Sequence, residues 1–187
     1  MKSSIILTSI LSCSLAACAA DISDPDEQSA EDAAEIGVVA QELAAGDTFI
    51  FVSENAPQLC LGVDRASTSP GASVKQFPCD RSLNQTWRVS RTVHTSGFHP
   101  LVNVKSNLCL GVSGGGTTHG ADLKQFACDG RANQQWRPQD RPNATFRFQN
   151  ANGPCMGVDG GSTASGAQIK QFRCDERKNQ RWSVRSN

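Results

Sequence analysis

The chain contains one short sequence unit three times, and this repetition constrains its fold more than any other feature. Each copy opens with Cys-x-Gly-Val, has a second cysteine 19 residues after the first, and ends in Asn-Gln-x-Trp. From the first cysteine to the tryptophan each copy is 28 residues long without a gap. Such a repeat indicates an architecture of equivalent, mutually supporting units. The copies run from Cys60 to Trp87, from Cys109 to Trp136 and from Cys155 to Trp182.

Within a copy the apolar residues recur with a period of two, which is typical of half-buried strands. This pattern covers residues 74–77 and 87–89 of the first copy, and a loop rich in Gly, Ser and Thr precedes Val74. An upstream apolar stretch adds one strand to each copy, at 49–52, 101–104 and 146–148. No amphipathic helical pattern follows residue 46. The sequence therefore predicts an all-β domain of about a dozen strands, four in each copy.

The beginning of the chain predicts export. Lys2 precedes an apolar run from Ile5 to Ala17, so residues 1–17 have the pattern of a secretory signal peptide. The tetrapeptide that ends in Cys18, Leu-Ala-Ala-Cys, resembles the lipobox of bacterial lipoproteins. This resemblance implies that Cys18 is lipidated and anchors the protein in the cell envelope, at the outer membrane or the cell surface. Two alternatives stay open, a cut before Cys13 and plain secretion without a lipid on Cys18.

Residues 18–45 contain eight acidic side chains and no basic or aromatic one, which predicts a flexible acidic linker. A short helix over residues 30–44 is the alternative for part of it. Residues 46–187 carry 17 basic and 10 acidic side chains, a formal charge of +7. These charges form no basic run, so no nucleic-acid partner is expected. After residue 18, no apolar stretch reaches the roughly 20 residues of a membrane-spanning helix.

The six cysteines of the three copies form an even set in an exported chain, and we expect them to be oxidised. Six cysteines allow many pairings, but equal spacing favours one pairing rule for three equivalent units. The simplest set joins Cys60 to Cys79, Cys109 to Cys128 and Cys155 to Cys174. Zinc sites use close ligand pairs such as Cys-x-x-Cys, which the chain lacks, so neither a metal nor a cofactor is expected.

Three copies of Gln-x-Trp with paired cysteines resemble the ricin B-type lectin domain. The resemblance covers residues 46–187, with repeats at about 47–92, 98–141 and 144–187. It implies a β-trefoil fold and a monomeric, multivalent module that binds glycans or polysaccharide through up to three shallow pockets, one in each repeat. No enzymatic activity is expected. The three histidines, His94, His99 and His119, have no repeated acid or nucleophile as partner and are expected in surface loops.

The resemblance also implies which residues line the pockets. The family's aromatic platform, more often Trp or Tyr, falls on a phenylalanine two residues before the second cysteine of each copy. The family's sugar-binding amides fall on the Asn-Gln pair. The residues expected at the carbohydrate are therefore Phe77, Phe126, Phe172, Asn84, Asn133, Asn179, Gln85, Gln134 and Gln180. A purely structural role in a turn is a rival for the asparagines, and the tryptophans are expected in the core.

The chain departs from the family where the family has its anchoring aspartate, two residues after the first cysteine. Gly62, Gly111 and Gly157 stand there. Because strand alternation places the flanking residues Leu61 and Val63 in the core, position 62 is expected to face outward into a pocket that lacks only its carboxylate. This loss favours an alternative function, a β-trefoil scaffold that has lost sugar binding and contacts proteins or the cell envelope.

The chain offers two alternative compensations for the missing aspartate. Asp64 and Asp159, four residues after the first cysteine, are candidate replacement anchors, although the middle copy has Ser113 there. The second compensation is a lysine in place of the family's pocket glutamine, which would select an acidic glycan. These lysines are Lys75, Lys124 and Lys170.

Overall fold

The computed structural model describes residue 46, residues 48–91 and residues 97–187. The predicted signal peptide, Cys18, the acidic linker and His94 lie outside the described residues. Within the described ranges, no helix has the length and apolar character needed to cross a membrane.

Twelve strands form the domain, four in each repeat, which confirms the all-β prediction. The first repeat contains β1 (Thr48–Ser53), β2 (Leu59–Val63), β3 (Val74–Pro78) and β4 (Trp87–Val89). The second contains β5 (His99–Asn103), β6 (Cys109–Val112), β7 (Leu123–Phe126) and β8 (Gln135–Arg141). The third contains β9 (Thr145–Asn150), β10 (Cys155–Val158), β11 (Ile169–Phe172) and β12 (Trp182–Ser186).

Six strands pair side by side in a closed antiparallel ring. Its order is β1, β4, β5, β8, β9, β12 and back to β1. The remaining six form three hairpins, β2–β3, β6–β7 and β10–β11. Single bridges join these hairpins to one another, from Ser73 to Lys124, from Asp122 to Lys170 and from Lys75 to Gln168. A barrel with three equivalent hairpins bridged together is a β-trefoil.

The core has the same threefold character. Trp87 and Trp182 are fully buried and Trp136 is 1% exposed, as the alternation predicts. Two of the indole nitrogens bond the hairpins, and in the first repeat Trp87 Nε1 donates to the carbonyl of Leu61 at 3.0 Å. The equivalent bond in the second repeat joins Trp136 Nε1 to the carbonyl of Leu110 at 2.9 Å. Trp87 and Trp136 thus pack beneath the hairpins of their own repeats, whereas the buried Nε1 of Trp182 has no hydrogen-bond partner among the described residues.

One disulfide closes each hairpin, and the predicted pairing is confirmed. The bonds join Cys60 to Cys79, Cys109 to Cys128 and Cys155 to Cys174, with Cα–Cα distances of 5.0, 5.1 and 5.0 Å. Each closes a loop of about 20 residues, which contributes about 3 kcal/mol in the chain-entropy account. The disulfides therefore hold each hairpin closed independently of the other two.

Three fully buried glutamines, here called the glutamine clasps, connect the repeats. Gln76 Nε2 donates to the carbonyls of Ser162 and Ala164 in the third repeat, both at 2.9 Å. The other clasps do the same to the repeat before their own: Gln125 bonds the carbonyls of Ser67 and Ser69, and Gln171 those of Gly116 and Thr118. The third repeat thus holds the second, the second holds the first, and the first holds the third.

Candidate functional site

A hairpin face in each repeat points away from the core. In the first repeat Gly62 pairs with Lys75 across the β2–β3 hairpin, and Phe77 lies two residues further along β3. Residues two apart on a strand share a face, so the glycine, the lysine and the phenylalanine lie together. Leu61 and Val63 lie in the hydrophobic core, as predicted.

The glycine on this face is covered. A Cβ atom at Gly62 would lie 2.9 Å from Cγ of Gln85 and 3.3 Å from Cδ2 of Phe77. The same crowding surrounds the other two glycines: at Gly111, Gln134 Cγ and Phe126 Cδ2 would both be 3.0 Å away, and at Gly157, Gln180 Cγ would be 2.9 Å away. Position 62 therefore faces outward as predicted, but the expectation that it is open to a ligand is wrong. The phenylalanine and glutamine occupy the space that an aspartate would need.

The glutamine of each Gln-x-Trp motif fixes the turn after the second cysteine. Gln85 Oε1 accepts from the backbone N–H of Asp80 at 3.2 Å, and its Nε2 donates to the carbonyl of Pro78 at 2.8 Å. Gln134 and Gln180 make the equivalent pairs of bonds. All three are 2% exposed. Their observed role is structural, and the direct sugar contact that the resemblance implies for them stays a prediction.

Each asparagine before that glutamine donates its amide to the strand that carries the covered glycine. Asn84 Nδ2 bonds the carbonyl of Val63 at 3.3 Å, Asn133 that of Val112 at 3.1 Å, and Asn179 that of Val158 at 2.9 Å. In the first repeat Ser82 Oγ also lies 2.8 Å from Asn84 Oδ1. No donor of the described ranges bonds Oδ1 of Asn133 or Asn179, so these two oxygens can accept from a hydroxyl group.

An aspartate one residue after the second cysteine shapes the rim. Asp80 Oδ1 accepts from the Ser82 hydroxyl and backbone N–H. The bond from the hydroxyl has the larger effect, and both bonds lower the pKa of Asp80 from its ordinary value. In the other repeats arginine replaces the serine, and Asp129 Oδ2 lies 3.4 Å from Arg131 Nε, as Asp175 Oδ2 does from Arg177 Nε. The rim is therefore charged but internally paired in the second and third repeats.

The phenylalanine and asparagine of each repeat define what we call the first, second and third sites: Phe77 with Asn84, Phe126 with Asn133, and Phe172 with Asn179. All three phenylalanines are half-buried. Phe126, Asn133 and Gln134 line a cavity of about 590 Å³ at the second site. Phe172, Asn179 and Gln180 line one of about 630 Å³ at the third. In the second and third repeats the structure thus brings together the phenylalanine, asparagine and glutamine that the resemblance assigned to a common pocket, whereas Asp159 does not line the third cavity.

The candidate replacement anchors are paired with the recurring lysines. Asp64 Oδ2 lies 2.9 Å from Lys75 Nζ, and Asp159 Oδ2 lies 2.9 Å from Lys170 Nζ. The hydrogen bond to Asp159 raises the pKa of Lys170. In the second repeat Ser113 replaces the aspartate, and Lys124 has no ion pair within the described part of the chain. Each complete pair offers a ligand both an acceptor and a donor.

The two described histidines have different settings. His119 lies in an exposed loop as expected, and its ring meets that of Phe172 edge-on, with centroids 5.2 Å apart. His99 lies in β5 and not in a loop, which corrects the sequence expectation: it is half-buried, with Nδ1 3.1 Å from the carbonyl oxygen of Ser90. The ranges that the structure describes hold no cluster of three His, Cys, Asp or Glu side chains fit for a metal ion.

A sequence model described as "Ricin-type beta-trefoil lectin domain-like" matches residues 83–172. No curated protein matches the chain in sequence. Among solved structures, the designed threefold-symmetric protein ThreeFoil has a TM-score of 0.71 and 30% identity, and the match covers 75% of this chain and 99% of that one. The exo-β-1,3-galactanase of Clostridium thermocellum has a TM-score of 0.72 and 26% identity, over 78% of this chain and 31% of the enzyme.

The ricin B-like lectin of Macrolepiota procera, solved in complex with lactose, has a TM-score of 0.65 over 76% of this chain and 97% of the lectin. Its identity of 19% shows a common fold only. The family match, the three Gln-x-Trp repeats and the trefoil of twelve strands agree with one another. The chain belongs to the family of ricin-type β-trefoil lectin-like domains.

Proposed function

We propose that this protein is a multivalent, non-enzymatic carbohydrate-binding module that uses the first, second and third sites. One observation carries the proposal: the second and third sites are cavities in which a phenylalanine face meets an asparagine whose Oδ1 is unbonded within the described ranges. A phenyl ring offers an apolar surface to the C–H face of a sugar, and the amide oxygen accepts from a hydroxyl.

The ligand that we propose first is a galactose-type sugar. Two similar structures support this choice, one of an exo-β-1,3-galactanase and one of a lectin in complex with lactose. Shallow sites with few polar contacts bind single sugars weakly. Three of them on one domain gain affinity for a surface that displays many sugars, because a second contact forms at a high effective concentration.

The scaffold without sugar binding remains the second candidate function. The observation that favours it is the crowding at Gly62, Gly111 and Gly157, where no anchoring carboxylate fits without displacing the phenylalanine and the glutamine. A glycan array with residues 46–187 separates the two. Reproducible binding supports the first function, whereas the absence of binding to all neutral and acidic sugars on the array supports the scaffold.

Two pairs of substitutions test what holds the sugar. We expect Asp64→Ala with Asp159→Ala to abolish detectable lactose binding at the first and third sites, because each carboxylate can make a charge-assisted bond worth about 1.5 to 3 kcal/mol. We expect Phe77→Ala with Phe172→Ala to do the same at these two sites by removing their platforms, with Phe126 still binding at the second site. Ser113→Ala, at the equivalent position of the second repeat, is the matched control and should change little. Titration calorimetry measures the affinities.

The two pairs of substitutions have different effects on affinity if only the carboxylates or only the phenyl rings hold the sugar. If the phenylalanine pair loses binding and the aspartate pair binds normally, stacking on the phenyl rings is the main contact. The two aspartates are then not replacement anchors. Unchanged affinity and stoichiometry in both pairs would mean that the first and third sites do not bind the sugar. Thermal melting of each variant confirms that the fold is intact before affinities are compared.

We also propose that the protein is exported and lipid-anchored through Cys18, on the sequence Leu-Ala-Ala-Cys. Cys18→Ser is expected to move the protein from the membrane fraction to the soluble fraction of expressing bacteria. The measurement is an immunoblot of the two fractions, with Cys13→Ser as the matched control. A Cys18→Ser protein that stays in the membrane fraction would contradict the anchor at this residue.

A further inference from the structure

The repeats are not identical, and two of their differences meet at one place. The residue before the second cysteine is Pro78 in the first repeat and Ala127 in the second, but Arg173 in the third. The residue ten positions after the first cysteine is Pro70 in the first repeat and Ser165 in the third, whereas the second has His119.

These two unmatched residues line a common groove between the second and third sites. The groove has a volume of about 480 Å³, and its lining includes Thr117, His119, Asn152 and Arg173. Asn152 also lines the cavity of the second site, and both His119 and Arg173 line that of the third. The groove therefore lies between the two sites and shares lining residues with each of them.

The walls of this groove are fixed by contacts between repeats. Asn152 Nδ2 donates to the carbonyl of Gly115 at 3.1 Å, which ties the third repeat to the loop of the second. On the other side the His119 ring packs edge-on against Phe172. Arg173 lines both the groove and the cavity of the third site.

The groove carries an uncompensated positive charge. The acidic residues that line the two flanking cavities, Asp129 and Asp175, already pair with Arg131 and Arg177. Arg173 is exposed and forms no ion pair within the described part of the chain. A guanidinium group is planar and always charged, and its paired N–H groups match the two oxygens of a carboxylate.

We propose that one acidic glycan chain binds across both sites and places the carboxylate of a uronic acid unit on Arg173. The flanking sugar units lie on Phe126 and Phe172. This inference rests on the proposed function, since it uses the second and third sites as its ends. It adds a ligand class, an extended uronic-acid-containing polysaccharide, and a single bound chain in place of two separate sugars.

The test compares oligogalacturonate with its fully methyl-esterified form, which has the same backbone and length without the charge. Calorimetry on residues 46–187 should show tighter binding of the acid form and one chain per protein molecule. Arg173→Gln should lower affinity for the acid form about tenfold or more and leave the ester unchanged. Arg88→Gln, which removes the same charge from the exposed side of β4, is the control and should have little effect.

Three results would overturn the inference. They are equal affinities for acid and ester, equal losses in Arg173→Gln and Arg88→Gln, and tighter Arg173-dependent binding of a sulfated galactan than of oligogalacturonate. The last result would mean that the groove binds sulfate groups in preference to carboxylates. Lactose binding by the same preparation distinguishes failure of this inference from failure of the proposed function. Lactose binding depends on the phenylalanine platforms and does not need Arg173.

Discussion

Trp87→Ala is expected to lower the free energy of unfolding by about 3 to 5 kcal/mol, as for other buried aromatic residues truncated to alanine. Trp87 is fully buried, and its Nε1 satisfies the carbonyl of Leu61 in the hairpin above it. The substitution therefore leaves both a large cavity and an unbonded buried carbonyl. Urea denaturation followed by circular dichroism, with the disulfides intact, measures the change.

Leu83→Ala is the matched control, since Leu83 is 56% exposed in the same repeat and its truncation should change stability by less than about 0.5 kcal/mol. If Trp87→Ala does not fold, Trp87→Phe retains most of the apolar volume and should show a smaller loss that keeps the comparison measurable. A normal melting profile for Trp87→Ala would mean that this side chain is not part of the core.

Gly157→Ala is expected to lower the free energy of unfolding by about 1 to 3 kcal/mol, the usual cost of overpacking. The new Cβ would lie 2.9 Å from Gln180 Cγ, 3.2 Å from Phe172 Cδ2 and 3.1 Å from the backbone oxygen of Asn179. The backbone oxygen cannot move aside as a side chain can. We therefore also expect Phe172 to shift and affinity at the third site to fall, and Gly157→Asp to damage the site instead of restoring the family's anchor.

Gly116→Ala is the control for this effect, because a Cβ there meets no atom within 4 Å and Gly116 has no positive φ. Thermal denaturation and lactose titration of the two variants give the comparison. A Gly157→Asp protein with wild-type stability and increased affinity would show that the pocket accepts a carboxylate, and that crowding at this position is not what excludes one.

The repeat and its period of two predicted the strand number and the disulfides well, because both depend on neighbours along the chain. The covered glycines could not be predicted in this way. Gly62 is crowded by Gln85, which lies 23 residues later and approaches only once the turn after Cys79 has formed. The alternation gave the direction of position 62 correctly and said nothing of what covers it.

The glutamine clasps and the groove were missed for a related reason. Gln76 is polar in a strand that a binary pattern would make apolar, and its burial is explained only by two carbonyls in another repeat. The meeting of His119 with Arg173 likewise depends on contact between repeats. Comparing the copies position by position would have singled out both residues as unmatched, but not their proximity.

The glutamine clasps also bear on how many sites a partly destabilised molecule can present. Each clasp joins a different pair of repeats, and β12 returns to pair with β1, so no repeat can detach without breaking contacts to both neighbours. Buried amide bonds of this kind are lost together with the packing around them. Valence should therefore be all or none. Under the proposed function, a population near the melting temperature should consist of folded molecules with all three sites and unfolded ones with none, without a form that has two.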